Sequence, residues 1–158
     1  MNYYNEIKNK LIDNEVYKRV KDYSKNRNDL NTYYEVGKLL IEAQGGEERA
    51  KYGDRLIKEY SERLYNELGK KYDITTLKRY RQFYLKIEKG AALRHQLSWT
   101  HYRELLTLDN INELNYYVEI TIEQNLSYRQ LREKIKTKEY QRLDNNTKLK
   151  LKVWWWPN

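Results

Sequence analysis

A chain of 158 residues without a cysteine excludes disulfides, thiolate catalysis and cysteine zinc sites, yet is long enough for one domain or two small ones with a real core. Its 34% charged residues, six glycines and single proline, Pro157, leave little punctuation for a many-stranded fold and predict an all-α protein. The net charge of +8 favours an anionic partner. No apolar run approaches the roughly 20 residues of a membrane span and no signal peptide opens the chain, so a cytoplasmic protein with no membrane partner is expected.

In chain order, Asn2 to Tyr23 reads as a helix with Tyr4, Ile7, Leu11, Val16, Val20 and Tyr23 inward, and with a candidate break at Asp13-Asn14. A second helix, Asn28 to Ala43, turns Leu30, Tyr33, Tyr34, Gly37, Leu40 and Ile41 inward. Gly37 costs about 1 kcal/mol relative to alanine there, which points to a close helix approach. Gly45-Gly46 closes this helix. No Gly-Lys-Ser/Thr follows, so the pair is a turn rather than a phosphate loop. Glu47 to Tyr52 then leads through Gly53 into a helix from Asp54 to Leu68, striped by Ile57, Tyr60, Leu64 and Leu68.

Gly69 stands where a C-cap glycine belongs, and Asp73 or Thr75 caps the next helix, Thr75 to Glu88. Leu77, Tyr80, Phe83, Tyr84 and Ile87 share one side of it and are expected to pack on the stripe of the preceding helix. Thr75, Lys78, Arg79, Gln82 and Lys86 gather on the other side, a face expected to hold three cations, an amide and a hydroxyl and no carboxylate. Helix, glycine-initiated turn and second helix with a basic face is the layout of a helix-turn-helix. Many such faces are simply solvated, and the geometry also serves proteins that touch no DNA.

After a break at Lys89 to Ala92, Ser98 caps a helix over Trp99 to Thr107, with Trp99, Tyr102, Leu105 and Leu106 inward. Asn112 to Gln124 and Ser127 to Lys138 form a further pair around the turn Asn125-Leu126. The first is striped by Ile111, Leu114, Tyr117, Val118, Thr121 and Ile122. The second turns Tyr128, Leu131 and Ile135 inward and Arg129, Arg132 and Lys136 outward, interrupted by Glu133. This is a candidate second helix-turn-helix. Asp144 to Asn146 is expected to end the ordered region. The tail, with its Lys/Leu alternation, Trp154 to Trp156 and Pro157, fits an edge strand, a partner-binding patch or the remnant of a truncated reading frame.

Charge is concentrated. Residues 1–68 carry thirteen Lys/Arg and thirteen Asp/Glu, whereas residues 69–104 carry nine against three, a basic patch that begins at the proposed turn. The 17 tyrosines against one phenylalanine reflect mostly the composition of a chain rich in Asn, Lys and Tyr. His95 and His101 form no HExxH arrangement, and no serine or threonine pairs with a histidine in a nucleophile motif. A structural role is expected for His101, and no catalytic residue, metal ligand or cofactor is assigned.

The segments YEVGKLLIEAQGGEERAKYGDRLI, YSERLYNELGKKYDITTLKRYRQFY, LSWTHYRELL, NYY and LSYRQLREKI, in this order over about Asn31 to Leu143, resemble the N-terminal domain of the YhcG-like family. Asn115, where the family tends to have arginine, and Leu126, where it often has tryptophan, depart from the pattern. The resemblance implies a bacterial helical module over residues 1–143 that binds DNA and precedes a PD-(D/E)XK nuclease domain, with residues 144–158 a divergent tail. Nothing in the chain resembles that nuclease site: its one Glu-x-Lys, Glu6-Ile7-Lys8, has no aspartate before it.

Two functions of different class follow. One is a double-stranded-DNA-binding module, the targeting part of a nuclease system, partnered by a nuclease subunit or a second copy of itself. The other is a helical protein-interaction or oligomerisation domain that uses the tyrosines and Trp154 to Trp156.

Overall fold

The computed structural model describes residues 1–20, 25–50 and 53–155, with the side chains of 17–20, 25, 70 and 151–155 left aside. Among the described residues the chain is all-α, without a strand. The helices are α1 (Tyr3–Val20), α2 (Lys25–Ala43), α3 (Glu47–Ala50), α4 (Arg55–Leu68), α5 (Ile74–Glu88), α6 (Trp99–Leu105), α7 (Ile111–Glu123), α8 (Tyr128–Lys136) and α9 (Asn145–Trp155). The chain divides into two compact units, Met1–Leu85 and Lys86–Asn158, and the division falls inside α5.

In the first unit α1 runs unbroken through Asp13-Asn14. Asn14 takes the next place in the stripe of Tyr4, Ile7 and Leu11, and is 2% exposed. A buried amide needs partners. Asn14 finds them on α2, donating to Asp29 (3.2 Å) and accepting from Asn28. Val16, expected inward, is 56% exposed, and the side chains of Val20 and Tyr23 lie outside the described residues.

The α4 and α5 stripes are buried as their spacing predicts, through Ile57, Tyr60 and Leu64 on one and Leu77, Tyr80 and Phe83 on the other. Tyr84, Ile87 and Leu68 are half-buried. Their rings also reach other helices. Tyr60 meets Tyr4 of α1 edge-on at 5.5 Å, whereas Tyr80 stacks on Tyr33 of α2 at 4.3 Å and Tyr84 tilts against Tyr34. Gly37 allows this, because a Cβ built there would run into the Tyr80 carbonyl and lie 2.9 Å from Tyr84 Cβ.

Between α4 and α5, the Gly69 amide closes onto the Leu64 and Tyr65 carbonyls at a φ of 106°, a conformation open to glycine. A 3-10 turn, Lys70–Tyr72, follows. Of the two cap candidates Asp73 serves: its carboxylate accepts from the Thr76 amide at 2.8 Å.

In the second unit α7 is the central helix, in contact with α6, α8 and α9 and buried through Leu114, Asn115, Tyr116, Tyr117, Val118, Ile120 and Thr121. The tail differs from the expected end of order or edge strand. Asp144 accepts from the Thr147 amide at 2.6 Å, an N-cap, and α9 follows it. The side chains of Trp154 and Trp155, and Trp156 altogether, lie outside the described residues.

Candidate nucleic-acid interface

Helical spacing does bring Thr75, Lys78, Arg79 and Gln82 to one side of α5, with Thr75 and Gln82 exposed and Lys78 and Arg79 partly so. The face is not free of acid, as the helix alone suggests. Asp54, at the start of α4, places its carboxylate 2.7 Å from Lys78 Nζ and 3.4 Å from an Arg81 guanidinium nitrogen. The Lys78 hydrogen bond holds the Asp54 carboxyl below its ordinary range, against a smaller opposing effect of burial. Arg79 forms no ion pair among the described residues.

Arg81 has a role that its helical position does not announce. Its side chain is 16% exposed and donates to Gln44 Oε1 at 2.7 Å and the Ala50 carbonyl at 3.5 Å, while Gln44 Nε2 donates to the Gly53 carbonyl at 2.8 Å. Arg81 thus ties the end of α2 and the segment before α4 to α5. Nothing local signals this, because the partners lie 27 to 37 residues away.

Lys86 leaves the proposed face. It is 9% exposed, and its ammonium donates to the Leu106 carbonyl at 3.1 Å and to the Leu108 carbonyl, with Asp109 at 3.8 Å. Burial lowers its pKa, partly offset by Asp109. The stretch after α6 has covered it, so it holds carbonyls rather than offering charge to a ligand.

The second pair keeps its cations outward. Asn125, at a φ of 50°, makes the turn after α7. Ser127 and Gln130 then form a capping box: the Ser127 hydroxyl accepts from the Gln130 amide and the Gln130 side chain accepts from the Ser127 amide. Leu131 is fully buried beneath α8, and Arg129, Arg132 and Lys136 are exposed above it. Arg132 is held in place by Glu104 of α6, through Nε at 3.1 Å and a terminal nitrogen at 2.6 Å. Arg129 Nε reaches the Tyr128 hydroxyl at 3.1 Å, and both guanidinium groups lie within 6 Å of the Tyr128 ring centre. Lys136 has no ion pair among the described residues.

A cavity of about 450 Å3 between α4 and the 3-10 turn is lined by Ser61, Glu62, Tyr65, Asn66, Tyr72 and Asp73. With two carboxylates and no Lys or Arg it disfavours phosphate. Among the described residues no cluster of three His, Cys, Asp or Glu is placed to hold a metal, and no helix is long and apolar enough to cross a membrane.

The model of the DUF1016 N-terminal domain family matches residues 8–142, most of the chain. The chain belongs to this family. YhcG is the DUF1016 family, so the resemblance drawn from the ordered segments points to the same place. No curated protein and no solved structure matches the chain.

One departure from the family pattern has a side-chain role in this DUF1016 domain. Asn115 is buried, donating to the Gly90 carbonyl at 3.1 Å and accepting from the Ala92 amide at 2.7 Å, which fixes the chain leaving α5. The Leu126 carbonyl accepts from His101 Nε2 at 2.8 Å. His101 Nδ1 accepts from the Ser98 amide at 3.1 Å, so the ring's proton sits on Nε2 and both nitrogens are used. His101 therefore links the start of α6 to the turn before α8.

Proposed function

We propose that this chain is a DNA-binding module that docks on duplex DNA through α8 and targets a PD-(D/E)XK-type nuclease activity supplied elsewhere, in the bacterial cytoplasm. The observation that carries the reading is the row Arg129, Arg132 and Lys136, exposed over buried Leu131 on a helix entered through a tight, capped turn. Such cations can meet phosphates, and an arginine held in plane by Glu104 has the fork geometry that matches guanine O6 and N7. The excess of Lys and Arg over the chain gives the long-range attraction such docking needs.

Titration of a fluorescent 20-base-pair duplex at several salt concentrations tests it. The triple variant Arg129→Ala, Arg132→Ala, Lys136→Ala is expected to weaken binding and to flatten log K against log salt by about 0.9 for each phosphate no longer neutralised. Unchanged binding by a folded triple variant removes α8 as the reader and leaves Thr75, Arg79 and Gln82 of α5. Absence of any salt-dependent DNA binding by the parent, with self-association in sizing, favours the protein-interaction reading.

A further inference from the structure

We propose that Lys78 and Arg81 form a phosphate-binding site that Asp54 occupies in the free protein. Three observations carry it. First, a single carboxylate bridges two cations on successive turns of α5, one oxygen 2.7 Å from Lys78 Nζ and the other 3.4 Å from Arg81. A carboxylate and a phosphate present similar paired oxygens to such groups. Second, the cations are not equally held. Arg81 is anchored behind by Gln44 and the Ala50 carbonyl, which leaves one guanidinium nitrogen toward Asp54, while Lys78 and Asp54 are 41% and 47% exposed. An anion from solvent can reach the pair without displacing the anchor.

Third, Asp54 stands at the N-cap position of α4 and makes no side-chain cap bond. Aspartate at that position ordinarily accepts from the amides of the first turn. Its carboxylate is drawn to the α5 cations instead, and those amides are a second place for it once a phosphate takes the first. The device has two states, with Asp54 on Lys78 and Arg81, or Asp54 on the α4 amides and a phosphate on the cations. The ligand group is a phosphate oxyanion, from a nucleic-acid backbone or a free polyphosphate. The backbone source rests on the DNA-binding reading; the site itself does not.

The test compares the parent with Asp54→Asn, whose side chain keeps the capping ability, and Asp54→Ser, a second capping residue, should asparagine disturb the fold. Duplex binding is read by anisotropy against salt. Tripolyphosphate binding is read by NMR shifts of the Arg81 side chain. One unmasked phosphate site should steepen the salt slope by about 0.9 and tighten duplex binding about eightfold at 0.1 M salt. The gain should vanish in Asp54→Asn/Lys78→Ala, and should not appear in Glu62→Gln, an equal charge change elsewhere on α4.

Tripolyphosphate should give saturable Arg81 shifts in Asp54→Asn at concentrations where the parent shows few. If the parent binds duplex and Asp54→Asn binds it no better, the masked site is overturned and the DNA reading stands. If neither binds duplex while Asp54→Asn takes tripolyphosphate at Arg81, the site stands and the DNA reading falls. A gain that persists without Lys78, or no Arg81 shift at all, overturns the site.

Discussion

At position 37 a missing side chain sets how near α2 and α5 come. Propensity alone favours alanine there by about 1 kcal/mol. The Tyr80 carbonyl and Tyr84 Cβ fill the space an alanine methyl needs, and both belong to a packed helix that can yield only by moving its backbone. Gly37→Ala is therefore expected to lower stability by about 1–3 kcal/mol, the range for overpacked cores, in a urea titration. A gain would mean that α5 lies farther from α2. The tyrosines make a similar point at single-residue scale. Their abundance in the sequence is a matter of composition, yet the hydroxyls of Tyr72, Tyr102 and Tyr116 bond Glu15, the Ala92 carbonyl and Glu139 respectively, joining segments that spacing alone does not associate.

For the helices, period and caps are legible in the sequence and partners are not. The stripe of α4 reads directly from Ile57, Tyr60 and Leu64, all buried. Its ring neighbour is Tyr4, on whose ring Arg63 also lies at 3.6 Å, and Glu67 pairs with Lys8. A helix's apolar face states that something covers it, without stating what. Leu64, fully buried on that face, gives the check: Leu64→Ala should cost about 2–5 kcal/mol by denaturant titration. A cost near zero would place the packed face elsewhere. The α8 face reads as an interrupted row of cations, and the structure adds Glu104, which reaches Arg132 from α6 rather than from the helix itself.

Over the whole molecule, buried tyrosines in both units set the response to alkali. Burial pushes the Tyr4 phenol up to about 12, with Glu67 adding to it, and pushes Tyr72, Tyr80, Tyr102 and Tyr116 upward as well. Above pH 10 the unfolded chain loses these protons while the folded chain keeps them, so folding stability is present below pH 10 and falls as pH rises. Each such tyrosine removes about 1.4 kcal/mol per pH unit until its folded pKa is reached. Lys86 acts the other way, since its lowered pKa favours the folded state as pH climbs toward 10.5, but one lysine is outweighed by several phenols. Stability measured at pH 9, 10 and 11 should fall steeply over the last step, with phenolate absorbance from the buried rings appearing together with loss of the helical signal. Ionisation of all the tyrosines near pH 10 with helix retained would contradict this.

Spacing and end residues specify the helices and most of their limits, the glycine turns, the serine caps and the row of cations on α8. Each of these is a local matter, set by spacing within one helix or by the residues at its end. Folding settled that Asn14 continues a stripe instead of breaking a helix, that α5 lies on α2 through Gly37, and that residues after Asp144 form a helix. It also decided which basic residues remain available. Lys86 is spent on the Leu106 and Leu108 carbonyls, Lys78 is paired with Asp54, and Arg81 gives one guanidinium nitrogen to Gln44 and Ala50 and the other to Asp54, while Lys136 stays open to solvent. A charge counted along the chain is the same in every fold, but its availability depends on groups 20 or more residues away that only folding brings within hydrogen-bonding distance.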